Sequence, residues 1–411
     1  MRTASLLSVA AVALALATGA GAWTKVTPAS LDNGVDPSVL VLPSGGVLVA
    51  YRDPRAHKLA VIVNATAKTV ASGLASVGDA QLLRLPSGSL ELVAADQAGV
   101  VTFTSSNGGA SWSGPAKTGS TDTGDVQGGA VRKDGSVLFS QDGTGFVNVY
   151  GAAAPHNVFT PCCGYAESLA VDSHGLAQIA FWSNATGHGG YLYGKLDASG
   201  ALAGGLRTLS SGETAERSNR VPLVADGKGN TFVAFANGYP ESHDVVVDTL
   251  RGGVTHHSVT LARGTFTGDE PLLAITVDAS DRVWALWTQA GALWGARSRS
   301  AGAHFGAAVH VALSGSAYAL EAGARPDGSV EAVANDGSAL VEQQLLPGLT
   351  VTVAGTTVRV LDDGFPVAGA TVRGGGLTAK TAGNGSTQLK VPPHTAIAVT
   401  APGYTPASAR T

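Results

Sequence analysis

Apolar and polar positions along the chain recur in one repeated unit. DPSVLVLPSG from Asp36 to Gly45 and DAQLLRLPSG from Asp79 to Gly88 are near copies, each followed by an alternating apolar run. An extended apolar run, a tight glycine turn and a second extended run predict a β-hairpin. Weaker copies centre on Gly135, Gly175, Gly229, Asp281 and Gly328. The turn positions are 40 to 54 residues apart, and a period of about 40 to 50 residues with several strands per unit is that of a β-propeller. Seven hairpins over residues 23–346 predict seven blades, with six as the alternative. The first strand of each unit reads as the innermost, apolar on both faces, and later strands alternate toward the rim. A short strand near Trp23 to Val26 is expected to pair with the last blade, closing the ring and removing exposed sheet edges.

The pattern changes after Leu346-Pro347-Gly348. Residues 349–411 alternate over short segments, with turns at Asp363-Gly364, Gly374-Gly375 and Gly383-Asn384-Gly385. This predicts a small separate C-terminal β unit, near the lower size limit for an independent core. The fold class expected for the whole chain is therefore all-β.

Composition agrees. Of 411 residues 55 are Gly and only 14% are charged, against roughly 7% Gly and about 25% charged in average globular chains. Glycine in that abundance disfavours long helices, while 44% hydrophobic residues supply enough apolar surface to exclude general disorder. A net charge of -4 without basic clusters gives no reason to expect a nucleic-acid partner. At the N-terminus Arg2, an apolar run from Leu6 to Ala17 and Ala20-Gly21-Ala22 have the form of a secretory signal peptide spanning 1–22. The run is shorter than the roughly 20 residues that cross a bilayer. The mature protein is thus expected to be secreted, extracellular or periplasmic, and monomeric, with no stable membrane insertion.

Ser105-Ser106-Asn107-Gly108-Gly109-Ala110-Ser111-Trp112 resembles the Asp-box, or BNR repeat, of sialidase-like propellers, and a degenerate copy runs from Ser298 through Gly302 to Phe305. The resemblance implies a structural turn between the third and fourth strands of a blade, built on Ser105, Asn107, Gly109 and Trp112. It does not extend to the sialidase site. Where that family opens its first blade with Arg-Ile-Pro, this chain has Val35-Asp36-Pro37, and no Tyr/Glu nucleophile pair follows Tyr51-Arg52-Asp53. No catalytic residue is assigned. The C-terminal segment is similar to carboxypeptidase-regulatory-like modules at Pro366–Val372, Val391-Pro392-Pro393 and Ala401–Tyr404, which implies that residues 349–411 form a small C-terminal β-sandwich domain serving as a spacer or adhesion unit.

Propeller connectivity places the loops entering the innermost strands on one face together with the loops leaving the second strands. That channel face collects Asp36, Asp79, Asp125, Glu167, Arg220 and Glu270 from the first set and Arg52 and Asp53 from the second. Carboxylates in a ring can accept hydrogen bonds from a sugar's hydroxyls or hold a cation. Equally, each acid can cap the backbone of its own loop. No metal-ligand spacing occurs among the histidines, and no cofactor motif is present. Cys162 and Cys163, the only cysteines, admit three states: buried thiols, an intermolecular link, or a bond between neighbours. An oxidising compartment favours the vicinal disulfide, which with Tyr165 would floor a binding site. The function expected is recognition of a glycan or other small or cell-surface ligand on the channel face; the alternative is a divergent sialidase-like glycoside hydrolase or lyase.

Overall fold

The computed structural model describes residues 23–411 except 28–30, 32–34, 74–78, 98, 122–123, 143–145, 152–154, 161–162, 211–219, 238–243, 264–270, 300 and 314. The leader-like segment 1–22 thus lies outside the described residues. Between Thr24 and Leu345 the chain forms seven four-stranded antiparallel sheets. In the first six, strand order in the sheet follows the chain, as in Ser38–Val41, Val47–Asp53, Lys58–Val63 and Thr66–Ser72 of the first. The first strands of these six abut one another in sequence around the ring, and Ala319–Ala324 of the seventh sheet completes it by meeting both Leu273–Val277 and Ser38–Val41. The protein is an all-β, propeller-type fold.

Closure is made by the other end of the chain. Thr24–Lys25 supplies the outer strand of the seventh sheet, with Thr24 opposite Glu342 and Lys25 opposite Val341. The Trp23 indole donates to the Ala312 carbonyl at 2.8 Å. Farther along, the Asn335 amide donates to the Val35 carbonyl at 2.9 Å. The N-terminal segment is therefore stitched across the joint between first and last sheets, where an unpaired edge would otherwise stand.

All seven turn positions have left-handed backbone: the six glycines lie at φ +83° to +88° and Asp281 at +58°. Only glycine takes such φ freely, which explains why glycine marks the repeat. The turn at Ser105–Trp112 joins the third and fourth strands of the second sheet. There Ser105 Oγ accepts from the Gly109 amide at 2.9 Å and donates to Asn107 Oδ1 at 2.9 Å. The turn after Ser298 repeats the first of these bonds, Gly302 N–H donating to Ser298 Oγ at 3.2 Å.

Burial differs from the sequence expectation in one respect. The second strands are the most enclosed, Ala177–Ser183 being buried throughout, whereas the first strand Ser38–Val41 is mostly half-buried. The first strands are the inner edges of their sheets, and the edge that borders the channel has no strand paired to it; the second strands are paired on both edges and covered on both faces. Fourth strands, such as Ser113–Lys117, are exposed.

Residues 350–410 form two further four-stranded sheets that share a core of Val358, Val360, Ala370, Val372, Ile397 and Val399. This unit docks on the turn end of the sixth and seventh sheets. Arg297 is buried there, donating to Asp362 Oδ2 at 2.5 Å and to the Gly328 carbonyl at 2.9 Å. The Tyr404 hydroxyl donates to the same Asp362 oxygen at 3.0 Å.

Two stability predictions follow from these contacts. A Cβ on Gly323 would come within 2.5 Å of Val41 Cγ2, so Gly323→Ala should cost about 1–3 kcal/mol, while Gly205→Ala, with open space around it, should stay within about 0.5 kcal/mol; urea denaturation measures both. Asp362→Ala strands a buried guanidinium and should cost about 3–5 kcal/mol. Calorimetry should then show the C-terminal unit melting separately from the rest.

Candidate functional site

The chain entering each first strand must turn inward toward the ring axis, and the residues at those entries are forced together. Asp36 enters the first strand of the first sheet, Asp79 the second, Asp125 the third and Arg220 the fifth. Arg52 ends the second strand of the first sheet at the same mouth. The structure joins all five. Asp79 Oδ1 accepts from Arg52 Nε at 2.7 Å and from the Asp36 amide at 3.2 Å. Asp125 Oδ1 in turn accepts from the Asp79 amide at 2.8 Å. Both acids therefore cap the entry of the preceding sheet and not, as the sequence alone suggested, their own loop.

Arg220 reaches farthest. From the fifth sheet its Nη1 donates to Glu321 Oε1 of the seventh at 2.7 Å and to the Pro37 carbonyl of the first at 3.1 Å. It is only 6% exposed, yet among the described residues its Nε and Nη2 have no hydrogen-bond partner. The side chain borders a cavity of about 240 Å³ in the channel, to which the first strands of all seven sheets contribute. Polar lining comes from Ser38, Gln81, Gln127, Ser168 and Thr276; the rest is mostly aliphatic or glycine.

Charge at this mouth is unbalanced. Burial pushes the Asp79 carboxyl up to about 8, helped by the Asp36 and Asp125 carboxylates and opposed by Arg52 and Arg220. Asp36 rises to about 6, through burial against the opposing pull of Arg220. Burial also raises Glu321, although Arg220 holds it down in part. For Arg220 itself burial disfavours the charge, but the carboxylates of Glu321, Asp36 and Asp79 outweigh it and keep the guanidinium protonated.

Other candidates are placed differently. Asp53 accepts from the Ala56 amide at 2.9 Å and lies 3.8 Å from Lys58, serving its own turn. Tyr165 stacks on Trp182, ring centroids 6.0 Å apart, beside the core between the fourth and fifth sheets. Glu167 is buried in the first strand of the fourth sheet, next to Ala166 at φ +59°. The Cys163 carbonyl accepts from the Asn184 amide at 3.2 Å; Cys162 and Glu270 lie outside the described residues. Glu321 escaped the sequence reading. It stands seven residues before its turn glycine, as Ser38, Gln81 and Ser168 do before theirs, and all four line the channel. Aligning the hairpins on their turns would have found it.

Among the described residues no cluster of His, Cys, Asp and Glu is arranged to hold a metal ion, and no helix is long and apolar enough to cross a membrane.

No family model matches the sequence, and no curated protein does. Solved structures with a similar course include virginiamycin B lyase from Staphylococcus aureus, 11% identical over 76% of this chain and 98% of that one, with a TM-score of 0.48. Agrobacterium tumefaciens regucalcin, a calcium-binding protein, is 12% identical over 79% and 93%, with a TM-score of 0.43. The extracellular domain of a hybrid two-component system from B. thetaiotaomicron is 10% identical, covering 95% of this chain and 59% of its own, with a TM-score of 0.48. Likeness at this level bears on neither ligand nor activity.

The raised carboxyls make a pH prediction. A carboxyl whose folded-state pKa lies above its unfolded value stabilises the fold while protonated, and that contribution fades as pH rises from the unfolded value through the folded one. The melting temperature should therefore fall between pH 5 and pH 8. Asp79→Asn, neutral throughout, should fall by less than half as much over the same range; an equal fall in both proteins would rule out Asp79 as the source.

Proposed function

We propose that the protein is an exported binding protein that holds a small polar ligand in the channel mouth. One observation carries this reading: Arg220, buried and braced across the ring from the fifth sheet to the first and seventh, keeps two donors without partners beside a cavity. A buried unpaired donor costs roughly 1–3 kcal/mol, more when charged, and a ligand acceptor repays that cost. The cavity is smaller than the roughly 300–1,000 Å³ that holds drug-sized ligands, so the ligand is the size of one sugar unit or less. A glycan unit suits the donor and acceptor set, since hydroxyls donate to carboxylates and accept from a guanidinium.

Export rests on the leader pattern of residues 1–22. In such a compartment Cys163 forms a disulfide with Cys162, the only other cysteine, which stiffens the loop beside Tyr165. The C-terminal unit, similar in sequence to carboxypeptidase-regulatory-like modules, acts as a rigid spacer on the opposite end of the channel.

A thermal-shift screen of polar metabolites against the full mature chain tests the reading. At least one should raise the melting temperature. Arg220→Lys keeps a charge beside Glu321 but offers no two-donor edge, and should weaken that ligand at least tenfold by calorimetry. A ligand bound equally well by Arg220→Lys would place the site elsewhere.

A further inference from the structure

We propose that the channel-mouth site selects a zwitterion, a small molecule carrying a carboxylate and a cationic nitrogen within one residue's length, such as a free α-amino acid or a betaine. The inference rests on the binding reading above and names its ligand class.

The geometry of Arg220 supplies the first half. Its Nη1 is engaged by Glu321 and the Pro37 carbonyl, which fixes the plane of the guanidinium across the channel. The remaining nitrogens, Nε and Nη2, form the side-on edge of the group, and both are buried and unpartnered. Two parallel N–H bonds on one edge match the two oxygens of a carboxylate in a bidentate pair, the strongest arrangement open to an arginine. A single hydroxyl fills only one of them.

The surroundings supply the second half. At the mouth are Asp36 and Arg52 from the first sheet, Asp79 from the second, Asp125 from the third, Arg220 from the fifth and Glu321 from the seventh; Glu167 is buried in the first strand of the fourth. The described entry to the sixth, Pro271 and Leu272, is uncharged. Among the described residues at the mouth carboxyls thus outnumber guanidiniums four to two. Burial already pushes Asp36, Asp79 and Glu321 toward their protonated forms, and at Asp36 and Asp79 neighbouring carboxylates add to it. A simple carboxylate bound to Arg220 would add another negative charge to this ring, and a simple amine would relieve the ring while leaving the Arg220 edge unfilled. One molecule bearing both groups answers both needs. Because its cationic nitrogen favours the ionised carboxylates, binding should release protons near neutral pH and strengthen from pH 5 to pH 8.

Titration calorimetry of the full mature chain with L-alanine, glycine betaine, propionate, propylamine and glucose decides the matter. One of the two zwitterions should bind at least tenfold more tightly than propionate and propylamine, with proton release seen as a buffer-dependent enthalpy. Asp36→Asn should weaken that zwitterion while leaving propionate equal or tighter, and Arg220→Lys should weaken it at least tenfold. Should a variant fail to fold, the wild-type ranking still decides. Propionate or propylamine matching both zwitterions overturns the inference, as does glucose binding alone; in those cases the channel-mouth binding reading survives. No binding by any of the five, together with no hit in the wider thermal-shift screen, overturns both.

Discussion

The close approach of seven first strands around one axis is the constraint on which the molecule depends. Where those strands meet, side chains must shrink: a Cβ on Gly129 would lie 2.9 Å from the Gln81 Cβ, and one on Gly323 even nearer to Val41. A ring of sheets also has two loose ends unless the chain closes it. Thr24–Lys25 helps to do so by pairing with the seventh sheet, beside a core in which Val49, Tyr51 and Ile62 of the first sheet pack with Val333 and Leu340 of the seventh. The tryptophan before Thr24 and Asn335 across the joint show how that short pairing is reinforced.

Crowding at the axis has an electrostatic consequence. Loops that enter neighbouring strands present amides that no sheet partner can satisfy, and in this ring the carboxylate of the next entry accepts them. The acids are thereby drawn into a low-dielectric mouth for a structural reason, and their charge accumulates there. Arg52 and Arg220 offset part of it. The structural and ligand-binding readings of these acids are thus one arrangement: the oxygens that hold the loops also set the field that a ligand meets.

Legibility in the sequence followed the range of the interaction. The hairpin turns were visible because their glycines answer to local φ, and the entry acids because they keep a nearly constant distance from those turns. Asp125 sits one residue farther out, and a bulge between Val126 and Gly128 accounts for it. Glu321 was hidden inside an apolar run, and its pairing with Arg220 joins residues 101 positions apart, which no local pattern encodes. The relative burial of first and second strands was misjudged because hydrophobicity records apolar character, while enclosure depends on whether a channel or a sheet lies opposite.

Two buried arginines show how the ends of the channel differ. At the turn end Arg297 uses two nitrogens, on Asp362 and the Gly328 carbonyl, and thereby fixes the C-terminal unit in place. A buried pair of that kind adds little net stability over an apolar contact, but it penalises every other docking geometry. At the mouth Arg220 uses one nitrogen, and its buried Nε and Nη2 find no partner among the described residues. In the binding reading proposed above, the first arginine acts as a lock and the second as a socket whose unfilled donors an acceptor of the right shape satisfies. Because the C-terminal unit docks at the turn end, the described contacts of that unit leave the mouth uncovered.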